Sequence, residues 1–153
     1  MWIMKLRIPP VLVFVIFSSL MYLLSRFLPF GNFEFFGRVF IIFFLLVIAT
    51  IVAVFSLVQF FSSKTTVDPR KPDEASVLVV NGIYKYTRNP MYLALLLVLL
   101  AWGIWLGNAF NTILAAGFVA YMNKFQIFPE EEALAYKFPK DYRHYCTQVR
   151  RWF

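Results

Sequence analysis

Residues 82–92 read Gly82-Ile83-Tyr84-Lys85-Tyr86-Thr87-Arg88-Asn89-Pro90-Met91-Tyr92. A glycine, three tyrosines, an arginine and an Asn-Pro step stand here against a long apolar run. Asn is a favoured N-cap and Pro a favoured first helical residue, so a helix is expected to open at Pro90. Its first turn offers backbone N–H groups and the positive end of the helix dipole, with Arg88 beside them. That combination suits an anion, either a carboxylate or a phosphate. Gly82 permits a turn or a close backbone approach. Tyr84, Tyr86 and Tyr92 offer ring faces to a flat ring or a cation, and hydroxyls for hydrogen bonds. The same residue types also collect at membrane interfaces, where Tyr rings sit among headgroups and Arg snorkels to phosphates.

A second polar tract, Pro129-Glu130-Glu131-Glu132, ends the next apolar run. Proline is expected to start a new helical piece there, and acidic residues suit its first turn. If the two apolar runs fold as a hairpin, a basic anion site and a carboxylate cluster meet at one end of it. A zwitterionic ligand with an aromatic ring would use both. S-adenosylmethionine is one such ligand; a nucleotide or a lipid headgroup would also satisfy these groups. Asn123 and Gln126, spaced i, i+3, are expected to share a helix face near the same end and to line a pocket, since polar side chains there face protein or a water-filled cavity.

The elements that must position these tracts are membrane helices. The chain is 61% hydrophobic, with 19 Phe among 153 residues and only 15% charged, far more apolar than a soluble domain of this size. Spanning a bilayer takes roughly 20 apolar residues. Four runs are expected to span: 10–28, opened by Pro9-Pro10; 36–61; 90–106, which is short; and 109–128. Gly107-Asn108 is the only break between the last two and signals a tight antiparallel hairpin. The fold class expected is all-α: a single membrane domain of about four transmembrane helices, with short amphipathic C-terminal helices. It divides into an N-terminal helix pair (1–61), a long polar loop (62–89), the hairpin (90–128) and a tail (129–153) that completes the site. The Lys5/Arg7-then-apolar start resembles a signal peptide but lacks a small-x-small cleavage site, so a retained helix is expected.

Fifteen Lys and Arg against eight Asp and Glu give a net charge of +7. The basic residues lie between apolar runs, so lipid headgroups and topology account for them and no nucleic-acid partner is expected. Four spans put Lys5, Arg7, Lys64, Arg70, Lys71, Lys85, Arg88, Lys124, Lys137, Lys140, Arg143, Arg150 and Arg151 on one side, and only Arg26 and Arg38 on the other. Both termini and both polar tracts are therefore expected to face the cytoplasm, in a bacterial cytoplasmic membrane or an equivalent endomembrane. In the tail, Glu131, Leu134 and Phe138, then Tyr142, Tyr145 and Val149, each fall at i, i+3, i+7, with Pro139 dividing two helical pieces. Cys146 is the single cysteine, which excludes an internal disulfide and a cysteine-cluster metal site. His144 is the single histidine and reads as a solvated residue. No metal is expected, because the glutamates have no histidine partner nearby.

Gly82-x-Tyr84-x-x-x-Arg88-Asn89-Pro90-Met91-Tyr92 resembles the Gly-x-Tyr-x-x-x-Arg-His/Asn-Pro-x-Tyr motif of the isoprenylcysteine carboxyl methyltransferase and phospholipid methyltransferase superfamily. The tail, Glu130-Glu131 followed by Leu134, Phe138, Tyr142, Tyr145, Val149, Arg151 and Trp152, resembles that superfamily's second pattern. The resemblance covers about Thr65 to the C-terminus. It implies an integral membrane enzyme that transfers a methyl group from S-adenosylmethionine to a lipophilic acceptor: a prenylcysteine-like carboxylate, a lipid amine or another small molecule. By position it implies that Gly82, Tyr84, Arg88, Asn89, Pro90, Tyr92, Glu130, Glu131, Tyr142 and Tyr145 hold the cofactor. Arg88, Glu131 and Arg151 would act at the reacting groups, Glu131 being the nearest candidate base. The acceptor is expected to enter from the bilayer. The chain differs from the prenylcysteine enzymes at Asn89, where they carry His, and departs from the second pattern at Pro139, which replaces a Gly. Sterol reductases that use NADPH are distantly similar in the same region, and a non-catalytic lipid-binding scaffold is the third reading.

Overall fold

The computed structural model describes residues 8–63 and 76–153. Lys5, Arg7, Lys64, Arg70 and Lys71, with the rest of residues 64–75 of the long polar loop, lie outside them. The elements are α1 (Pro10–Phe27), α2 (Arg38–Ser62), a 3₁₀ turn (Gly82–Lys85), α3 (Pro90–Leu106), α4 (Asn111–Met122), a π-helical segment (Asn123–Ile127), α5 (Phe128–Lys137) and α6 (Pro139–Gln148). Among the described residues the only β pairing is one antiparallel bridge, Asn32 with Asn108. The all-α membrane bundle expected from composition is what forms.

By length and composition, α1 and α2 can each cross a membrane, and α3 is a shorter apolar helix of 17 residues. Pro10 and Pro90 each occupy the first helical position, where the missing N–H costs nothing and the fixed φ suits the helix. α3 is the central element. It packs most extensively against α2, and also against α1 and α4. Accordingly it buries residues all round, from Pro90, Tyr92 and Ala94 to Leu99, Ala101 and Gly103. α2 buries only Ala49, Val52 and Ser56, spaced i, i+3, i+7, while Val39, Phe40, Phe43, Phe44, Val54, Phe55 and Phe61 remain exposed. Small residues on the packed face let backbones approach, and the exposed apolar face is the one lipid covers.

The main core joins Val13 and Met21 of α1, Tyr92, Leu96 and Leu99 of α3, Phe118 and Met122 of α4, and Ile127. In lipid these side chains gain from close packing rather than from leaving water. Polar pairs fix the helices to one another: Trp102 Nε1 donates to Ser18 O at 3.0 Å, and Asn111 Nδ2 donates to Ser25 Oγ at 2.8 Å.

The hairpin turn forms where Gly107-Asn108 places it. Gly107 has φ +70°, a left-handed conformation that glycine adopts without penalty. The helix after it starts at Asn111, two residues later than its apolar run. The Asn108 side chain accepts from the Phe110 N–H at 3.0 Å, a local turn that competes with helix.

One expectation is corrected at the other end of α4. Pro129 does sit in the first turn of a new helical piece, α5, followed by Glu130 and Glu131, but no break precedes it: the chain runs helically from Asn111 to Lys137. Proline cannot donate, and its ring crowds the carbonyl four residues back. The helix widens instead of breaking, and the Phe128 N–H reaches Asn123 O, five residues back. The wider turn also changes facing. Asn123 Oδ1 accepts from Trp152 Nε1 at 3.0 Å, whereas Gln126 Nε2 donates to Ile8 O at 2.6 Å. The spacing i, i+3 does not set these two on a common pocket, because residues 123–127 are not α-helical. Pro139 does divide the tail into α5 and α6, as its position predicts.

Candidate functional site: a guanidinium–carboxylate cluster at the bundle end

The 3₁₀ turn, the start of α3, the start of α5, α6 and the C-terminal residues converge at one end of the bundle. Backbone conformation begins the arrangement at Gly82, whose φ is +60°. A Cβ there would lie 2.1 Å from Gln59 Oε1, and that oxygen already accepts from the Ile83 N–H at 3.2 Å. Gly82→Ala is therefore expected to lower stability by about 2 kcal/mol, from the left-handed backbone and the displaced amide. Gly37 has φ +87° with nothing within 4 Å of a built Cβ, so Gly37→Ala, measured by thermal unfolding, isolates the backbone part.

From this turn Tyr84 enters a cluster with Tyr142, Tyr145 and Val149, flanked by Leu134 and Phe138. Tyr142, Tyr145 and Val149 are the residues that the tail's i, i+3, i+7 spacing put on one face. Tyr84 Oη and Ser56 Oγ are 3.1 Å apart, and the Tyr145 hydroxyl donates to Tyr84 O at 2.6 Å. Burial raises the phenol pKa of all three tyrosines well above the usual value. The neighbouring carboxylates push the same way, Glu130 on Tyr84 and Glu131 on Tyr142. The linked stability is fully present below the unfolded phenol pKa of about 10 and is lost as pH rises above it, by about 1.4 kcal/mol per pH unit for each phenol. Tyrosinate absorbance should then show these three of the eight tyrosines titrating only with unfolding.

Glu131 is the centre of the charged cluster. Its Oε1 accepts from Arg151 Nε at 3.0 Å and its Oε2 from Arg151 Nη2 at 2.8 Å, a bidentate pair. Arg88 Nη2 stands 3.2 Å from the same Oε1. Side-chain exposure is 12% for Arg88, 17% for Glu131 and 29% for Arg151, so the cluster is largely shielded from water. The hydrogen bond to Glu131 raises the pKa of Arg151 further. The Arg151 guanidinium also lies 4.5 Å from the Phe128 ring centre, and Arg88 Nη1 donates to Cys146 Sγ. Arg88 Nε is buried with no hydrogen-bond partner. One turn away, Tyr92 Oη donates to Glu130 Oε1.

Asn89 occupies the N-cap position of α3, but its side chain does not cap. Its Nδ2 donates to Arg151 O at 3.0 Å, and Thr87 Oγ1 donates to the same oxygen at 3.2 Å. The Arg88 N–H donates to Arg150 O at 3.0 Å. The turn before α3 is thus stitched to the last residues of the chain, and Asn89 serves as an amide tether. The anion beside Arg88 is the carboxylate of Glu131.

A cavity of about 440 Å³ opens beside the cluster, lined by Lys124, Phe128, Pro129, Glu131, Glu132, Ala135 and Tyr142. That volume falls within the roughly 300–1,000 Å³ of small-molecule sites. The structure brings Gly82, Tyr84, Arg88, Asn89, Pro90, Tyr92, Glu130, Glu131, Tyr142, Tyr145 and Arg151 to this end. Asn123 reaches it only through Trp152, and Gln126 turns away. Spacing arguments missed Ser56, Gln59, Phe128 and Cys146. Two of these carried a signal: Ser56 and Gln59 are polar residues in a membrane helix, which marks a protein-facing side. His144 lies on the exposed outer face of α6, 3.0 Å from Gln148 Nε2. Among the described residues there is no cluster of metal-ligating side chains.

The sequence model of the phospholipid methyltransferase family matches residues 33–141, from before α2 into α6. The chain belongs to this family. The phospholipid methyltransferase match takes in Arg88, Glu130 and Glu131 and ends before Tyr142, Tyr145 and Arg151. Over 62 residues, 40% of this chain, it is 50% identical to an uncharacterized protein of Haemophilus influenzae, and this covers 98% of that protein. No solved structure matches. The family is one of membrane methyltransferases, and the bundle's exposed apolar helices agree with it.

Proposed function

We propose that this protein transfers a methyl group from S-adenosylmethionine to a lipophilic acceptor, with the cofactor held at the Arg88–Glu131–Arg151 end of the bundle. The observation that carries the proposal is the donor set gathered beside the 440 Å³ cavity. Guanidinium groups suit a carboxylate, glutamates suit an ammonium or sulfonium, and the rings of Tyr142 and Phe128, which line the cavity, suit a flat base. The partnerless, buried Nε of Arg88 is a donor that a ligand acceptor would satisfy, which supports the fit. When bound, S-adenosylmethionine supplies an electrophilic methyl on a positively charged sulfur.

The chain's own residues then orient and enclose. Both oxygens of Glu131 are engaged by guanidinium donors, so the residue positions Arg88 and Arg151. Glu130, which takes a hydrogen bond from Tyr92, stands as the second carboxylate of the set. Catalysis rests on proximity and exclusion of water rather than on a strong base. A carboxylate acceptor needs no proton removed, whereas an amine or thiol gives one up to a nearby carboxylate. The acceptor enters from the bilayer, between helices whose outer faces are apolar.

Isothermal titration in detergent tests the cofactor: S-adenosylhomocysteine should bind the folded protein and NADPH should not. The reverse outcome would replace the proposal with a reductase. Mass spectrometry of lipid extracts incubated with the protein and methyl-labelled S-adenosylmethionine then identifies the acceptor.

A further inference from the structure

The end of the bundle remote from Arg88 holds a second polar cavity. It measures about 400 Å³ and is lined by Asn32, Phe33, Glu34, Arg38, Trp105 and Gly107. The connection between α1 and α2, the first residue of α2, the last turn of α3 and the hairpin turn each contribute a wall. Those walls are tied together. The Phe33 N–H donates to Gly107 O at 2.8 Å, the Ala109 N–H to Gly31 O at 2.8 Å, and Asn108 Nδ2 to Phe30 O at 3.1 Å. A Cβ on Gly107 would meet Phe33 O at 3.1 Å and Arg38 Nη1 at 3.3 Å. Glycine therefore lets the guanidinium lie close over the turn.

The charges in this cavity differ from those of the Arg88 cluster. Arg38 Nη1 stands 3.9 Å from Glu34 Oε1, beyond the roughly 2.7–2.9 Å of a charge-assisted hydrogen bond. Glu34 is 87% exposed and Arg38 27%. A cation and an anion thus line one cavity without closing on each other. Trp105 is 57% exposed beside them, and the exposed faces of Val39, Phe40 and Phe43 lead away along α2.

We propose that this cavity binds the headgroup of a zwitterionic phospholipid in the leaflet opposite the Arg88 cluster. The Arg38 fork takes the phosphate, Glu34 takes the ammonium, and the Trp105 ring packs at the headgroup boundary where indoles gather. The acyl chains lie along the exposed phenylalanines of α2. The 17 residues of α3 separate the two ends by about 25 Å, close to a hydrocarbon thickness of about 30 Å. A lipid held here is therefore out of reach of the methyl-transfer site and serves as a bound structural lipid. This proposal stands apart from the cofactor assignment and survives its failure.

Native mass spectrometry of detergent-purified protein tests it, using short-chain phosphatidylcholine, short-chain phosphatidylglycerol and inorganic phosphate as probes. The wild type should retain one phosphatidylcholine in preference to phosphatidylglycerol, and phosphate should not displace it. Arg38→Gln should weaken retention about tenfold, the loss of one charge-assisted pair. Arg26→Gln, at an exposed arginine at the same end outside the cavity, should change nothing. Glu34→Gln, at a solvent-exposed position that leaves folding intact, should erase the preference for the zwitterionic lipid. Equal retention by wild type and Arg38→Gln, an equal loss in Arg26→Gln, an unchanged preference in Glu34→Gln, or displacement by phosphate each overturns the proposal.

Discussion

Glu131→Ala is expected to abolish S-adenosylhomocysteine binding and to lower stability by about 2–3 kcal/mol. The carboxylate is the shared partner of two guanidiniums. Removing it leaves Arg88 and Arg151 facing each other with neither compensated. Breaking a buried pair by deleting one partner costs about 3–5 kcal/mol. Arg151 is 29% exposed, so water recovers part of that cost. Two readouts separate structure from function. Thermal unfolding reports the stability loss, and titration at a temperature where the variant is folded reports binding. Glu131→Gln keeps the shape and one acceptor but not the charge, and should fall between. A Glu131→Ala protein with wild-type unfolding temperature and wild-type affinity would remove the cluster from the site.

Deleting residues 150–153 should have an effect of the same order while leaving the bundle helical. Those four residues accept from the Arg88 backbone N–H and from both Thr87 and Asn89. They supply the Arg151 guanidinium to Glu131 and the Trp152 indole to Asn123. Each neutral hydrogen bond contributes about 1 kcal/mol, and the charged pair more. Of the four, only Trp152 packs against the core around Leu99, Phe118 and Met122, and does so from its edge, while those three are each 0% exposed. Far-ultraviolet circular dichroism should therefore stay near wild type while cofactor affinity falls at least a hundredfold. If affinity survives the deletion, the tail does not close the site. Arg151→Lys refines the test, because lysine keeps the charge but cannot form the bidentate pair.

Both predictions concern contacts across long stretches of sequence, and that is where local patterns stop informing. The hairpin was legible because Asn89-Pro90 opens a helix and Gly107-Asn108 closes one by chemistry confined to a few residues. The aromatic face of Tyr142, Tyr145 and Val149 was legible for the same reason, since a helix repeats its face every 3.6 residues. Asn123 and Gln126 show the limit of that rule. Pro129 widens the helix just ahead of itself, and a spacing that shares a face in an α-helix no longer does so.

Composition, apolar run lengths and the two motifs were enough to determine an all-α membrane bundle, its central hairpin and its phospholipid methyltransferase family. Only the tertiary structure decided what each polar group touches. Asn89 tethers the tail instead of capping α3, Glu131 joins Arg88 to Arg151, and Cys146 lies against Arg88. The physical reason is range: helix starts, turns and faces arise from neighbours in sequence, whereas the partner of a charged side chain is set by which helix ends the packing of α1–α4 brings together.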